Sequence, residues 1–123
     1  MAQQPQSPND PIGKQFFSPE LVLQNQSSLN LTDEQKNFFK SEIRTTQKQF
    51  IDLQFQLQDE LSIMSSLVKQ QPVDEQQVLA QLDKVLAIER EIKRAQLGIL
   101  IKIKNILTPA QQTRLQEIQS KQK

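Results

Sequence analysis

The feature that most constrains the fold is the stretch from residue 32 to residue 69, which contains neither glycine nor proline. Within it, apolar side chains recur every seven residues, at Ile43, Phe50, Leu57 and Met64. This spacing places them along one face of an α-helix. The stretch therefore predicts one long helix, about 57 Å in length at a rise of roughly 1.5 Å per residue.

A second long helix is predicted after a tight turn at residues 70–74. Pro72 disfavours helical backbone at the residue before it, and Asp74 can cap the helix that follows. Apolar residues then recur with the same seven-residue spacing up to about Leu107. They are Val78, Val85, Ile92, Ile99 and Ile106. Two long amphipathic helices joined by a short turn predict an antiparallel hairpin.

Shorter helices are predicted on both sides of the hairpin. Ser18 can cap a helix with Pro19 in its first position, and this helix should fade around residues 25–28, where side chains compete for backbone hydrogen bonds. Thr108 and Pro109 start a C-terminal helix in the same way. The predicted fold class is all-α: an elongated antiparallel hairpin of two long helices with short N- and C-terminal helices.

The sequence predicts a single helical domain, residues 18–119, between two flexible ends. Residues 1–17 are rich in Pro, Gln, Asn and Ser, and such a composition buries too little surface to offset the entropy lost on ordering. Residues 120–123 are expected to fray. Three apolar residues of the N-terminal tail are candidates for a short anchor onto the helical body: Ile12, Phe16 and Phe17.

The residue types present argue against an enzyme, a cofactor or a metal site. Cys and His are both absent, which excludes thiol nucleophiles, imidazole bases, disulfides and the commonest transition-metal ligands. No Gly-rich phosphate loop is found, and no nucleophile has an evident base. Glu89 and Glu91 point to different faces of their helix, and the thioethers are limited to Met1 and Met64.

Nucleic-acid binding and stable membrane insertion are not expected either. The formal charge is only +1, and there is no Trp or Tyr to stack on bases. No apolar run is long enough to span a bilayer. The second long helix does carry basic residues, interrupted by acidic ones, which could attract acidic polypeptides. They are Arg90, Lys93, Arg94, Lys102 and Lys104.

One short pattern occurs twice, as Leu31-Thr32-x-x-Gln35 and as Leu107-Thr108-x-x-Gln111. In each copy the Thr can accept a bond from the backbone amide three residues on, while the Gln can reach back to the amide of the Thr. Each copy is therefore a predicted capping box. The first opens one long helix and the second follows the other, so an antiparallel hairpin would bring the two copies near each other.

With these two Leu-Thr-x-x-Gln copies in these two places, residues 29–118 resemble the Spy/CpxP family of periplasmic stress-response proteins. That family includes Spy, which the chain resembles most, together with the zinc-resistance-associated protein and the metal sensor CnrX. The resemblance implies a cradle-shaped homodimer of helical hairpins. It further implies an ATP-independent chaperone, or holdase, that binds unfolding or aggregation-prone proteins on its concave face.

The resemblance also implies candidate residues for client binding. These are Leu29, Phe39, Ile43, Thr46, Gln96, Leu100 and Leu115. For Phe39 and Ile43, core packing is the favoured interpretation, because both follow the apolar stripe of their helix. The stretch 98–107 is apolar around more of its helix than one hairpin can bury, so a dimer partner or the folded-back N-terminal segment should cover it.

A periplasmic location is expected from the resemblance, with the polar Pro/Gln-rich opening taken as the mature end left after a signal peptide is removed. Two other functions stay open. One is a regulatory or metal-stress-sensing subunit, like CpxP or CnrX, that binds the periplasmic domain of a sensor kinase. The other is a helical assembly module with one fixed partner.

Overall fold

A computed structural model describes residues 12–121, and the regular elements in that range are all helices. They are a 3-10 helix at Gly13–Gln15 and five α-helices: α1 (Pro19–Gln24), α2 (Gln26–Leu29), α3 (Asp33–Val68), α4 (Glu75–Ile106) and α5 (Pro109–Lys121). The predicted all-α fold is confirmed. The long helices α3 and α4 pack together, joined by the turn predicted around Pro72.

The helix ends follow the capping residues that the sequence offers. The Ser18 hydroxyl accepts a hydrogen bond of 3.1 Å from the Leu21 amide at the start of α1. An Asp74 carboxylate oxygen accepts one of 3.2 Å from the Gln77 amide at the start of α4. Each of these bonds satisfies a backbone donor that has no partner inside the helix.

The chain does not simply lose helical structure after α1, as the sequence had suggested. It ends α1 at Gln24 and then winds one further turn, Gln26–Leu29. Asn30 closes this turn in the left-handed region, with φ of 53°, and its amide bonds back to carbonyls of that turn. Asn tolerates this conformation better than most residues, so it can end a helix as glycine commonly does.

The C-terminal end of the predicted flexible tail, residues 1–17, is anchored in the structure. Phe17 is fully buried, and the Phe16 carbonyl accepts a 3.2 Å hydrogen bond from Gln119 Nε2 on α5. The Lys104 ammonium lies 5.6 Å from the centroid of the Phe16 ring, within range of a cation–π interaction. The predicted anchor is therefore present in its two phenylalanines.

Other predictions for the two chain ends concern Ile12 and residues 120–123. Ile12, the third candidate anchor residue, is exposed, so it does not take part in the anchor. Ser120 and Lys121, in the segment for which fraying is predicted, are part of α5. Residues 1–11 and 122–123 lie outside the described residues.

The described chain divides into two compact units. The terminal unit comprises residues 12–41 and 99–121, and the hairpin unit comprises residues 42–98. Most buried apolar side chains belong to the terminal unit. They are Phe17, Leu21, Val22, Leu29, Leu31, Phe39, Ile99, Ile103, Leu107 and Leu115. The terminal unit thus has an ordinary hydrophobic core.

The hairpin unit has very little core of its own. Its buried side chains are Val85 and Gln81, and the seven-residue stripe predicted from the sequence is otherwise half-buried here. Gln81 Nε2 donates to the backbone carbonyl of Glu60 at 2.8 Å and to its carboxylate at 2.7 Å. One buried amide therefore ties α4 to α3 in a seam with few large apolar contacts.

Gly98 lies at a position of α4 where there is space for a side chain. A Cβ atom added at Gly98 would meet no atom within 4 Å. Because glycine inside a helix costs about 0.5–1 kcal/mol relative to alanine, we expect Gly98→Ala to raise the free energy of unfolding by about that amount. Urea unfolding followed by circular dichroism measures the change.

The matched control is Ala80→Gly, at an exposed position of the same helix, which should lower the free energy of unfolding by a similar amount. A destabilised Gly98→Ala protein would contradict the open surroundings of this residue. It would then indicate that another chain approaches α4 closely in solution.

Candidate functional site

Both Leu-Thr-x-x-Gln copies form the predicted capping boxes. The Thr32 amide donates to Gln35 Oε1 at 2.9 Å, and the Gln35 amide donates to the Thr32 hydroxyl at 3.1 Å. The second copy repeats the arrangement, with 2.9 Å from the Thr108 amide to Gln111 Oε1 and 3.2 Å from the Gln111 amide to the Thr108 hydroxyl. Each box satisfies two helix-end donors reciprocally.

The two boxes are joined through their glutamines. Gln35 Nε2 donates to Gln111 Oε1 at 2.8 Å, and Gln111 Nε2 donates back to Gln35 Oε1 at 3.1 Å. The second hydrogen of each Nε2 group reaches a backbone carbonyl, Ile106 for Gln35 at 2.9 Å and Leu29 for Gln111 at 3.1 Å. Each amide thus uses both donors and both acceptor positions, its full capacity.

This glutamine pair is enclosed by apolar side chains. Gln35 and Gln111 are 6% and 9% exposed, and the motif leucines Leu31 and Leu107 are buried beside them. An amide buried away from water must find partners, since each unsatisfied polar group costs about 1–3 kcal/mol. Hence the pair couples the start of α3 to the start of α5, and the prediction that the two motif copies meet is confirmed.

The pairing itself was not predicted from the sequence, which assigned each Gln to its own helix end only. A signal was present in the spacing. Gln35 stands four residues after Leu31 and four before Phe39, so it lies within an apolar stripe that faces the core. Gln111 has the same relation to Leu107 and Leu115. A polar side chain in such a stripe has to bond to something across the core.

Gln35→Glu separates the local cap from the pair. A glutamate can still accept from the Thr32 amide, so the capping box remains. As a carboxylate it loses both donors and faces the Gln111 oxygen, which leaves buried acceptors unpaired. We expect a loss of about 2–4 kcal/mol in the free energy of unfolding at neutral pH, measured in urea.

Gln58→Glu, at an exposed position of α3, is the matched control and should change stability by less than about 0.5 kcal/mol.

Combining Gln35→Leu with Gln111→Leu should lower the free energy of unfolding by less than the sum of the two single replacements, because the second replacement removes the partner that the first leaves unsatisfied. Additive losses would show that the two amides do not depend on each other.

Three of the seven candidate client-binding residues are placed in the core and not on a surface. Leu29, Phe39 and Leu115 are 5%, 1% and 0% exposed in the terminal unit. The prediction that they contact clients is corrected for the folded protomer. The physical reason is the apolar stripe through the glutamine pair, which packs Phe39 and Leu115 inward with the amides.

The other four candidates do not assemble into an exposed apolar surface. In the hairpin unit, Ile43 and Thr46 are half-buried along α3 and Gln96 is exposed on α4. Leu100, in the terminal unit, is half-buried. Ile43, Thr46 and Leu100 are thus partly covered by neighbouring side chains, and Gln96 is the one polar candidate that is fully at the surface.

The exposed apolar side chains lie elsewhere, and sequence reasoning did not assign them to a binding surface. Among residues 12–121, thirteen large apolar residues are exposed, and ten of them belong to the hairpin unit. They are Ile51, Phe55, Leu61, Ile63, Val68, Val73, Leu79, Leu82, Leu86 and Leu97. Isolated exposed leucines are normal, whereas many exposed apolar side chains on a unit with so little core are typical of interaction surfaces.

Four of these exposed leucines, Leu61, Leu79, Leu82 and Leu86, are here named the leucine flank. Leu61 and Leu82 each follow a residue of the seven-residue stripes by four positions, which turns them to one side of the seam. In an antiparallel pair this side is shared by both helices. The Gln81 to Glu60 bonds set Leu61 level with Leu79 and Leu82.

Other kinds of site find little support in the described chain. Among residues 12–121, no three or more Asp or Glu residues gather closely enough to hold a metal ion. In the same range, no helix has the length and apolar character needed to cross a membrane. Of the basic residues on α4, Lys104 lies against Phe16 and so contributes to the anchor.

Comparisons with known proteins add no assignment. The chain matches no model of a protein family, and neither the curated proteins nor the solved structures give a significant match.

Proposed function

We propose that this protein is an ATP-independent chaperone, a holdase that binds unfolding or aggregation-prone proteins on the apolar surface of its helical hairpin. The observation that carries the proposal is the contrast between the two units. The terminal unit buries its apolar residues, whereas the hairpin unit exposes ten large ones around two buried side chains. Such a surface gains free energy when another polypeptide covers it, by about 25 cal/mol per Å² of apolar area.

The leucine flank is the best-supported contact surface for clients. It replaces Leu29, Phe39 and Leu115, which are occupied by core packing. Its side chains are flexible aliphatic groups spaced along two helices, and such a surface can accept varied apolar sequences without a fixed pocket. Binding of this kind needs no nucleotide, because burial of apolar area supplies the driving force.

The proposal includes a homodimer and a periplasmic location. A second copy would cover part of the apolar surface when no client is bound, which would keep the protein from aggregating. The periplasmic location rests on the resemblance carried by the two Leu-Thr-x-x-Gln copies. In that compartment an ATP-independent mode of action would be an advantage.

A pair of substitutions on the leucine flank tests the function. Leu79→Gln and Leu86→Gln replace half-exposed leucines with a residue of similar helix propensity, so folding should be unaffected. In light scattering of a thermally or chemically unfolded client without ATP, the wild-type protein should suppress aggregation. The double variant should need a several-fold higher concentration for the same suppression.

Leu23→Gln is the matched control, because it removes a comparably exposed leucine from the terminal unit. It should suppress aggregation as well as the wild type does. If the wild-type protein, at several-fold excess, protected none of a varied set of clients, the holdase proposal would be abandoned.

A pull-down from periplasmic extract distinguishes the holdase from the regulatory subunit considered from the sequence. Many unfolded proteins, retained through Leu79 and Leu86, would support chaperoning. A single stoichiometric partner, such as the periplasmic domain of a sensor kinase, would indicate regulation. A fixed partner that remains after Leu79→Gln/Leu86→Gln would argue for an assembly module.

A further inference from the structure

The end of the hairpin next to the turn combines exposed apolar side chains with a strong negative charge. Residues 52–83, here named the acidic tip, contain six carboxylates and one basic side chain, Lys69, for a net charge of −5. The carboxylates are Asp52, Asp59, Glu60, Asp74, Glu75 and Asp83. The rest of the chain carries +6, so an overall charge of +1 conceals a large local excess.

The acidic tip has almost no interior to which its apolar residues could belong. Its single buried side chain is Gln81, and no apolar side chain within 52–83 is buried. Seven large apolar side chains are exposed there. They are Phe55, Leu61, Ile63, Val68, Val73, Leu79 and Leu82. The tip is therefore stabilised by few apolar contacts and has much apolar area still to cover.

The charge of the acidic tip is not neutralised within the described chain. None of its six carboxylates forms an ion pair there. Two do accept hydrogen bonds: Asp74 caps α4 through the Gln77 amide, and Glu60 accepts from Gln81 Nε2. Neither bond supplies a positive charge. A partner that covers the tip must therefore either provide cations or pay for bringing uncompensated carboxylates into contact.

Phe55 is the most exposed large apolar residue of the acidic tip. Its side chain is 63% exposed, the largest apolar group of the tip to stand in solvent. Asp52 precedes it by three residues and Asp59 follows it by four, so both carboxylates share its face of α3. An aromatic ring between two carboxylates suits a Lys or Arg side chain, which can pair with the carboxylates while its stem or charge lies on the ring.

We infer that the acidic tip selects its clients by charge, favouring polypeptide segments in which apolar residues are flanked by Lys or Arg. This inference rests on the proposed holdase function and assigns it a client class. Apolar burial supplies the affinity, and the net charge of −5 raises the encounter rate with cationic segments and lowers it with acidic ones.

Three labelled peptides with one common apolar sequence and flanks of Lys, Gln or Glu provide the probe. In fluorescence anisotropy with the full-length protein, the Lys-flanked peptide should bind most tightly and the Glu-flanked one least. Raising the salt from about 0.1 M to about 1 M shortens the Debye length from roughly 10 Å to roughly 3 Å and should remove most of the difference.

Asp52→Asn/Asp59→Asn removes both carboxylates beside Phe55 with little change in shape. We expect it to weaken binding of the Lys-flanked peptide by about two- to thirtyfold, the range for two exposed ion pairs, while the Gln-flanked peptide is unaffected. The matched control, Glu20→Gln/Glu117→Gln, removes the same charge from the terminal unit and should leave the preference intact. Equal binding of all three peptides, or no effect of the tip variant, would overturn the inference.

Two further measurements keep this test separate from that of the holdase. If wild-type protein suppresses aggregation of basic and acidic clients equally, the charge selection is wrong and the holdase stands. If it suppresses neither, the holdase falls, and its client class with it. Sedimentation identifies the remaining occupant: a tip variant that dissociates a homodimer but binds peptides normally would show that the acidic tip pairs with a second copy, against the inference.

Discussion

The reciprocal amide contact between Gln35 and Gln111 is the interaction on which the terminal unit depends. It joins two helix starts that are 76 residues apart in sequence, while each glutamine also completes the cap of its own helix. A side chain that does both makes local helix formation and tertiary packing interdependent. Because every donor and acceptor of the two side-chain amides is used, neither amide group can rotate without breaking several hydrogen bonds at once.

The difference in apolar burial between the terminal unit and the hairpin unit is related to this contact. Around the glutamine pair the apolar stripes converge, and the side chains of Phe17, Phe39, Ile103 and Leu115 fill a conventional core. Such a core can hold the ends of two long helices without help from the hairpin unit. The hairpin unit can then leave its own apolar side chains uncovered, a condition that a domain without another core could not tolerate.

Much of the fold could be predicted from the sequence, because the signals were local. The helix boundaries could be predicted from capping residues and prolines, namely Ser18, Pro72, Asp74 and Pro109. The seven-residue spacing identified the two helices that pack together. The same spacing could not say which companion residues lie in the seam. Gln81, three residues after Val78, is buried in the seam, whereas the apolar Leu82, four residues after Val78, is exposed. The client-binding residues could not be predicted for a related reason. Phe39 and Leu115 are as suitable for a core as for a client contact. The contact between the Gln35 and Gln111 side chains, which are far apart in sequence, decides between these roles.

Gln81 has a consequence for how the two helices of the hairpin unit are aligned. A seam made only of aliphatic side chains can slide by a helical turn at modest cost, whereas a buried polar group that has a single matching partner specifies the alignment. The bonds from Gln81 to the backbone and side chain of Glu60 provide that alignment where apolar packing is sparse. In the proposed holdase, this alignment would be kept while the exposed leucines of the two helices bind and release another polypeptide.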